Sequence, residues 1–179
     1  MKSMIGFAVL GGLAIGFINL SWLYLAFWIG LHTSGIGVFQ LYMLLWLILN
    51  IVLYIVLLRL AKRRAIALSY WSGVGVGAYA AFFSGLVAVF AQIGYFHVVN
   101  PGWQIYVTEA ALEAFQEQGV TGEELRRKVE QTRLATTATN YSIQSFLSET
   151  LLGVILSMLC MLVFREKPTE SERSKKESE

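Results

Sequence analysis

The chain has 179 residues, of which 56% are hydrophobic and 15% are charged, with 14 basic and 12 acidic side chains. A soluble domain usually carries about 25% charged residues, and so few charges cannot cover the surface of a globule of this size. The composition therefore argues against an ordinary water-soluble enzyme and favours a membrane protein.

The charges are distributed unevenly, and their distribution predicts the first two membrane spans. Between Lys2 and Arg59 no side chain carries a formal charge. A run of this length exceeds the roughly 20 residues that cross a hydrocarbon core of about 30 Å, so it must fold back at the polar residues 32–35. We predict spans over residues 4–31 and 37–58. The run is also longer than the apolar region of a signal peptide, which has about 7–15 residues, so we expect the first helix to be retained.

Aromatic residues and a proline bound the third span. Tyr70 suits a membrane interface, and Pro101 disfavours continuation of a helix through the residue before it, so we predict a span over residues 70–98. A fourth span is predicted over residues 141–164. The four spans predict an all-α fold, an integral membrane four-helix bundle that forms a single membrane domain over residues 1–165.

The segment between the third and fourth spans, residues 101–140, predicts an extramembrane helical hairpin. Apolar residues recur at helical spacing in its first half, and Gly119 supplies a C-terminal stop. The sequence from Thr121 to Glu124 matches a capping box, which starts a second helix. The first helix is acidic and the second is partly basic, so we expect the two to dock antiparallel. Residues 166–179 hold no large apolar side chain, and we predict that they form a disordered tail.

Lysine and arginine predict the orientation, because cytoplasmic loops of membrane proteins retain the excess of these residues. Ten of the 14 lie near the termini and in the loop between the second and third spans, and four lie in the hairpin. We therefore predict a multi-pass membrane protein with the N- and C-termini in the cytoplasm.

Small residues recur every four positions in two of the predicted spans. Small residues let helix backbones approach closely in lipid, where van der Waals contact drives packing. We predict that the first and third spans pack along these rows, with homodimerisation as the alternative use. The rows are Gly73, Gly77, Ala81 and Gly85 in the third span, and Ala8, Gly12 and Gly16 in the first.

Polar side chains inside the predicted spans are costly to bury without a partner. Glu149 is the only ionisable residue well inside a span, and we expect it to face the bundle as a neutral, hydrogen-bonded acid. Depth along the helices predicts an outer-leaflet polar layer of Glu149, Gln92 and Gln40, with Ser145 and Ser148 as further partners. This layer is interpreted either as a helix-packing contact or as a transport site. The other amides inside the spans are Asn19, Asn50 and Gln144.

Residues that support catalysis or bind metals are scarce. The chain has no aspartate, one cysteine and two histidines, whereas a zinc site needs three or four ligands. We therefore expect no catalytic site, no cofactor and no metal. The expected partner is the lipid bilayer, a homo-oligomer or another membrane protein is left open, and nucleic acid is not expected.

Several segments carry a resemblance to a known family: Tyr70 to Gly77 at the start of the third span, Asn100-Pro101 at its end, residues 119–125, and Arg165-Glu166-Lys167 after the fourth span. Their order resembles the bacterial membrane family catalogued as domain of unknown function 4199, over about residues 5–167. The resemblance implies a small four-span protein of the bacterial cytoplasmic (inner) membrane, with a helical segment between spans three and four, and it implies no activity. Asn100 stands where members commonly have aspartate.

The sequence bears on three classes of function. A membrane enzyme needs a nucleophile, a metal set or an acid–base pair, and the sequence does not offer one. A non-catalytic membrane or envelope component is the predicted function. The alternative is a small transporter or channel subunit, in which Glu149 and the polar layer line a path.

Overall fold

The computed structural model describes residues 2–31, 36–64 and 68–164, and within these ranges it is helical without any strand. The all-α prediction is confirmed. Four of the helices are long and apolar enough to cross a membrane. The predicted tail, residues 166–179, lies outside the described residues. The helices are α1 (Lys2–Trp28), α2 (Ile36–Arg64), α3 (Tyr70–Gly94), α4 (Trp103–Glu117), α5 (Gly122–Ala135) and α6 (Ala138–Phe164), and a π-helical turn (Tyr95–Val99) extends α3.

The end of α1 is set by a glycine. Gly30 has a φ of 81°, a left-handed conformation that glycine adopts without steric cost. The Leu31 N–H donates to the Ala26 carbonyl at 2.9 Å, and the Gly30 N–H donates to the Phe27 carbonyl at 3.0 Å. This pair of bonds is the Schellman motif, and it explains why α1 ends at Trp28 instead of at the predicted residue 31.

Small residues of α1 allow it to approach α3 closely. A Cβ atom at Gly12 would overlap the backbone carbonyl of Ala80, and a Cβ atom at Gly16 would lie 2.6 Å from Cβ of Val87. The row in the first span therefore faces the third span, as the sequence predicted.

The row of small residues in α3 faces a different helix from the one that was predicted. A Cβ atom at Gly77 would overlap the Ser157 side chain, and one at Gly85 would lie 2.7 Å from Oγ1 of Thr150. Both neighbours belong to α6, and Gly73 likewise meets α6, at Met161. The third span thus lies between the first and fourth spans and uses its glycines against the fourth. The periodicity shows that one face of the helix carries small side chains, but it does not show which neighbouring helix packs on that face.

Contacts between α1, α2 and α6 show which helix ends share one end of the bundle. Nζ of Lys62 donates to the Phe164 carbonyl at 3.2 Å, and the Arg64 guanidinium lies 4.7 Å from the centre of the Phe7 ring. The start of α1, the end of α2 and the end of α6 therefore lie together. We call this the basic end, and the opposite end, which carries the hairpin, the hairpin end.

The hairpin consists of α4 and α5 joined by a tight turn. Gly119 has a φ of 78°, and the Val120 N–H donates to the Phe115 carbonyl at 3.0 Å, so Gly119 ends α4 as predicted. Thr121 lies at the start of α5, but its hydroxyl makes no capping hydrogen bond. The predicted capping box is therefore incomplete, and the adjacent Gly122, with a φ of 64°, departs from helical geometry at this point.

The charges of α5 pair within that helix. Nζ of Lys128 lies 3.1 Å from Glu124, and the Arg133 guanidinium lies 2.6 Å from Glu130. The hydrogen bond from Arg133 lowers the pKa of the Glu130 carboxyl. Among the described residues no ion pair joins α4 to α5, so the expected complementarity between an acidic and a basic helix is not expressed as salt bridges.

The outer surface of the spans is apolar. Large hydrophobic side chains stand exposed along all four long helices, as lipid-facing positions do, because the bilayer core is itself apolar. The protein is a membrane protein with four candidate spans. Exposed residues of this kind include Phe17, Leu25, Leu44, Phe90, Leu151 and Val163.

Candidate functional site

One polar residue from each of the four spans meets the others in the middle of the bundle. We call these residues, Asn19, Asn50, Ser84 and Glu149, the polar cluster. None is more than 9% exposed. Oε1 of Glu149 accepts hydrogen bonds from Nδ2 of Asn19 at 2.6 Å and from Oγ of Ser84 at 2.7 Å. The carboxyl group therefore links α6 to both α1 and α3.

The two asparagines of the polar cluster bind each other. Nδ2 of Asn19 donates to Oδ1 of Asn50 at 3.0 Å, and Nδ2 of Asn50 donates to Oδ1 of Asn19 at 3.2 Å. Asn50 also donates to the Trp46 carbonyl at 3.0 Å. Each amide group thus uses both of its protons, which is what burial in an apolar bundle requires.

The depth of the polar cluster follows from where α6 begins. Glu149 lies eleven residues after Ala138, or about 16 Å along the helix at 1.5 Å per residue. This is about half of a hydrocarbon core, deeper than a start at residue 141 had indicated. The polar cluster therefore lies near the middle of the length of α6.

A cavity of about 290 Å³ lies on the hairpin side of the polar cluster, between α1, α2, α3 and α6. Glu149 and Asn19 form its inner end. Gln144 and Ser148 are exposed, as is Met43, so the cavity reaches the outer surface of the bundle between α2 and α6. Its lining is Gly16, Asn19, Leu20, Leu23, Tyr42, Met43, Trp46, Ala88, Ala91, Gln92, Tyr141, Gln144, Ser145, Ser148 and Glu149.

An aromatic cluster closes the bundle above this cavity. The Phe96 and Tyr141 rings meet edge to face with their centres 5.4 Å apart, and the Trp103 ring lies 6.3 Å from each of Tyr95 and Tyr141. Trp103 is the first residue of α4 and is 6% exposed. The hairpin is therefore anchored to the spans by aromatic packing directly above the cavity.

The other half of the bundle is closely packed. Tyr54, Leu58 and Met161 are each at most 1% exposed, and they lie on the basic side of the polar cluster. A Cβ atom at Gly153, one helical turn beyond Glu149, would overlap the Tyr54 side chain. The cavity consequently ends at the polar cluster and does not continue through the described residues.

The structure brings only part of the predicted polar layer together. Gln92 lines the same cavity as Glu149, and so do Ser145 and Ser148. Gln40 is exposed and does not line the cavity. The hydrogen-bond partners of Glu149 are instead Asn19 and Ser84.

Sequence reasoning singled out both asparagines as polar residues inside spans but not Ser84. Ser84 lies beside Gly85, the last residue of the small row, on the face of α3 that meets α6. The available signal was the position of this serine beside the row of small residues on α3. That row packs on α6, which carries Glu149. The hydroxyl of Ser84, 0% exposed, donates to that acid.

The family model described as "Protein of unknown function (DUF4199)" matches residues 11–166. The chain belongs to the DUF4199 family. No curated protein and no solved structure gives a significant match. The segment that matches the DUF4199 model contains the whole polar cluster, the lining of the cavity and the hairpin.

Proposed function

We propose that this DUF4199 protein is a non-catalytic, multi-pass component of the bacterial cytoplasmic membrane that holds a small ligand in the hairpin half of its bundle. The cavity that ends at Glu149 carries this proposal. Its wall combines apolar and aromatic surface with a few polar groups, which is the usual make-up of a small-molecule site. Glu149 at its inner end accepts hydrogen bonds from two other helices, α1 and α3, so this end of the site is preformed.

The charge distribution supports an orientation with both termini in the cytoplasm. Arg59, Lys62, Arg63 and Arg64 lie at the basic end, next to the start of α1 and the end of α6. Cytoplasmic loops retain lysine and arginine, so the basic end faces the cytoplasm. The hairpin and the aromatic cluster then lie on the opposite side of the membrane.

Cysteine labelling tests this orientation. In a Cys160→Ser background, Gln118→Cys in the hairpin turn should react with an impermeant maleimide in intact spheroplasts. Ser171→Cys should react only after the membrane is opened, because the proposed orientation encloses the C-terminal tail in the cytoplasm. Labelling of Ser171→Cys in intact cells would show that the tail lies outside the cytoplasm and that the proposed orientation is wrong.

A transporter subunit is the second candidate, and the one-sided shape of the cavity favours it over a channel. A channel needs a continuous path, whereas the described residues are closely packed on the basic side of Glu149, around Tyr54 and Met161. A cavity open towards one side and closed towards the other is what one state of an alternating-access protein shows. This candidate requires a second conformation in which the packing around Tyr54 opens.

Access to the cavity can be measured by thiol chemistry. Methanethiosulfonate reagents react with thiolates in water and hardly at all in lipid, so Ser145→Cys in the Cys160→Ser background should react at least about tenfold faster than Ile155→Cys. Ile155 is 52% exposed on the outer surface of the same helix and serves as the lipid-facing control. Equal, slow reaction at both positions would show that the cavity is closed and dry, and the proposed function would then be wrong.

A further inference from the structure

The carboxyl group at the inner end of the cavity has one oxygen that the protein does not use. Oε1 of Glu149 accepts from Asn19 and Ser84, while Oε2 has no hydrogen-bond partner among the described residues. Glu149 as a whole is 5% exposed, and it lines the cavity. A carboxyl group in a bundle normally requires a partner for each oxygen. A ligand in the cavity would supply it.

The charges around the cavity favour a positively charged partner. The lining contains no lysine, arginine or histidine, and the basic residues of α2 lie at the basic end, on the other side of the polar cluster. An anion would meet an acid without any cation to compensate it. A cation would neutralise the carboxylate in a medium of low dielectric constant, where the attraction is stronger than in water.

The walls favour an organic cation over a metal ion. Tyr42, Trp46 and Tyr141 line the cavity, and aromatic faces attract ammonium groups. The Tyr42 ring is held in place by stacking on Trp22, with the planes 1° apart and the centres 6.2 Å apart. A hard metal ion needs several oxygen ligands at about 2.0–2.6 Å, and the described residues contain no group of three or more His, Cys, Asp or Glu side chains that could hold one.

The size and opening of the cavity limit the ligand further. About 290 Å³ lies at the lower limit of small-molecule pockets, which span about 300–1,000 Å³. The cavity opens beside Met43 and Gln144, which are exposed. A volume of this size admits an ammonium group that carries a small apolar body.

We propose that the ligand is a small organic cation, an ammonium group on an apolar or aromatic body, with Glu149 as its counter-ion. This inference rests on the proposed function and names the class of ligand. The ammonium group lies against Oε2, and the rings of Tyr42, Trp46 and Tyr141 surround it. The cation binds the carboxylate form of Glu149.

The test compares two probes that differ only in charge. Benzyltrimethylammonium and its neutral carbon analogue, neopentylbenzene, have the same shape, and both can be titrated into the full chain in nanodiscs of zwitterionic lipid. Empty nanodiscs give the contribution of the lipid. Isothermal calorimetry and quenching of tryptophan fluorescence, to which Trp46 contributes, report binding. The parent protein should bind the cation at least about tenfold more tightly than the neutral analogue.

Glu149→Gln is the matched variant. Its side-chain oxygen can still accept from Asn19 and Ser84, so the polar cluster is kept while the negative charge is lost. The preference for the cation should disappear in this variant. Equal binding of the two probes by the parent, or an unchanged preference in Glu149→Gln, would overturn the proposal.

The thiol experiment separates the failure of this inference from the failure of the proposed function. If Ser145→Cys reacts quickly and the parent shows no preference for the cation, the cavity is open and the class of ligand is wrong. If Ser145→Cys does not react, the cavity itself is closed and both proposals fail.

Discussion

Replacing Glu149 by leucine should lower the stability of the protein by about 2–6 kcal/mol. The variant removes the acceptor of two buried donors, Nδ2 of Asn19 and Oγ of Ser84, and each unsatisfied group costs about 1–3 kcal/mol. In a chain of this size, 1 kcal/mol shifts Tm by about 2–4 °C, so thermal unfolding in detergent should begin about 4–24 °C lower. The decrease in stability is expected although leucine is the more apolar residue, because the cost comes from the donors of Asn19 and Ser84 that are left without an acceptor.

Glu149→Gln is the control for this prediction. Glutamine offers the same oxygen to Asn19 and Ser84, so its Tm should lie within a few degrees of that of the parent. A Tm of Glu149→Leu equal to that of the parent would mean that the hydrogen bonds of the polar cluster contribute nothing to stability. An equal loss in Glu149→Gln and Glu149→Leu would mean that the charge, and not the acceptor, is what the bundle needs.

Replacing Gly12 by alanine should also destabilise the bundle, by about 1–3 kcal/mol. The added Cβ atom would overlap the backbone carbonyl of Ala80, and a backbone cannot rotate out of the way as a side chain can. The two helices must move apart, and their van der Waals contact is lost along the interface. Thermal unfolding in detergent measures the effect.

Gly6 provides the matched control in the same helix. A Cβ atom at Gly6 would have no neighbour within 4 Å, and alanine is favoured over glycine in a helix by about 1 kcal/mol. Gly6→Ala should therefore be neutral or slightly stabilising. Gly77 and Gly75 form a second pair in α3, because only Gly77 meets a neighbour, the Ser157 side chain. Equal unfolding temperatures for Gly12→Ala and Gly6→Ala would contradict the role of close packing.

The number of spans could be predicted because it depends on one physical requirement, the length of apolar chain that crosses a bilayer. The end of α1 was harder to predict, because Gly30 stops the helix by adopting a left-handed conformation inside an otherwise apolar run. The hairpin turn was predicted in part. Gly119 has the expected geometry, while the hydroxyl of Thr121 does not form its expected bond.

The partners of Glu149 could not be predicted from depth alone. Depth restricts which residues lie at one level, but the rotation of each helix decides which of them face the centre. Gln40 was placed near the acid by depth along α2, yet it is exposed, while Asn50 on the same helix faces inward with 1% exposure. Rotation is set by packing against neighbouring helices, and the small rows did not identify those neighbours.

The reciprocal amide pair of Asn19 and Asn50 bears on how the chain assembles during synthesis. Asn19 and Asn50 come first in the chain, and their amides bond to each other without any residue of α6. Ser84 arrives next, and its hydroxyl can bond to its own helix in the interval, as serine commonly does. Glu149 comes last, after the hairpin, and takes up the remaining proton of Asn19 together with that of Ser84. The two asparagines thus pair between α1 and α2, and Glu149 then connects α6 to α1 and α3.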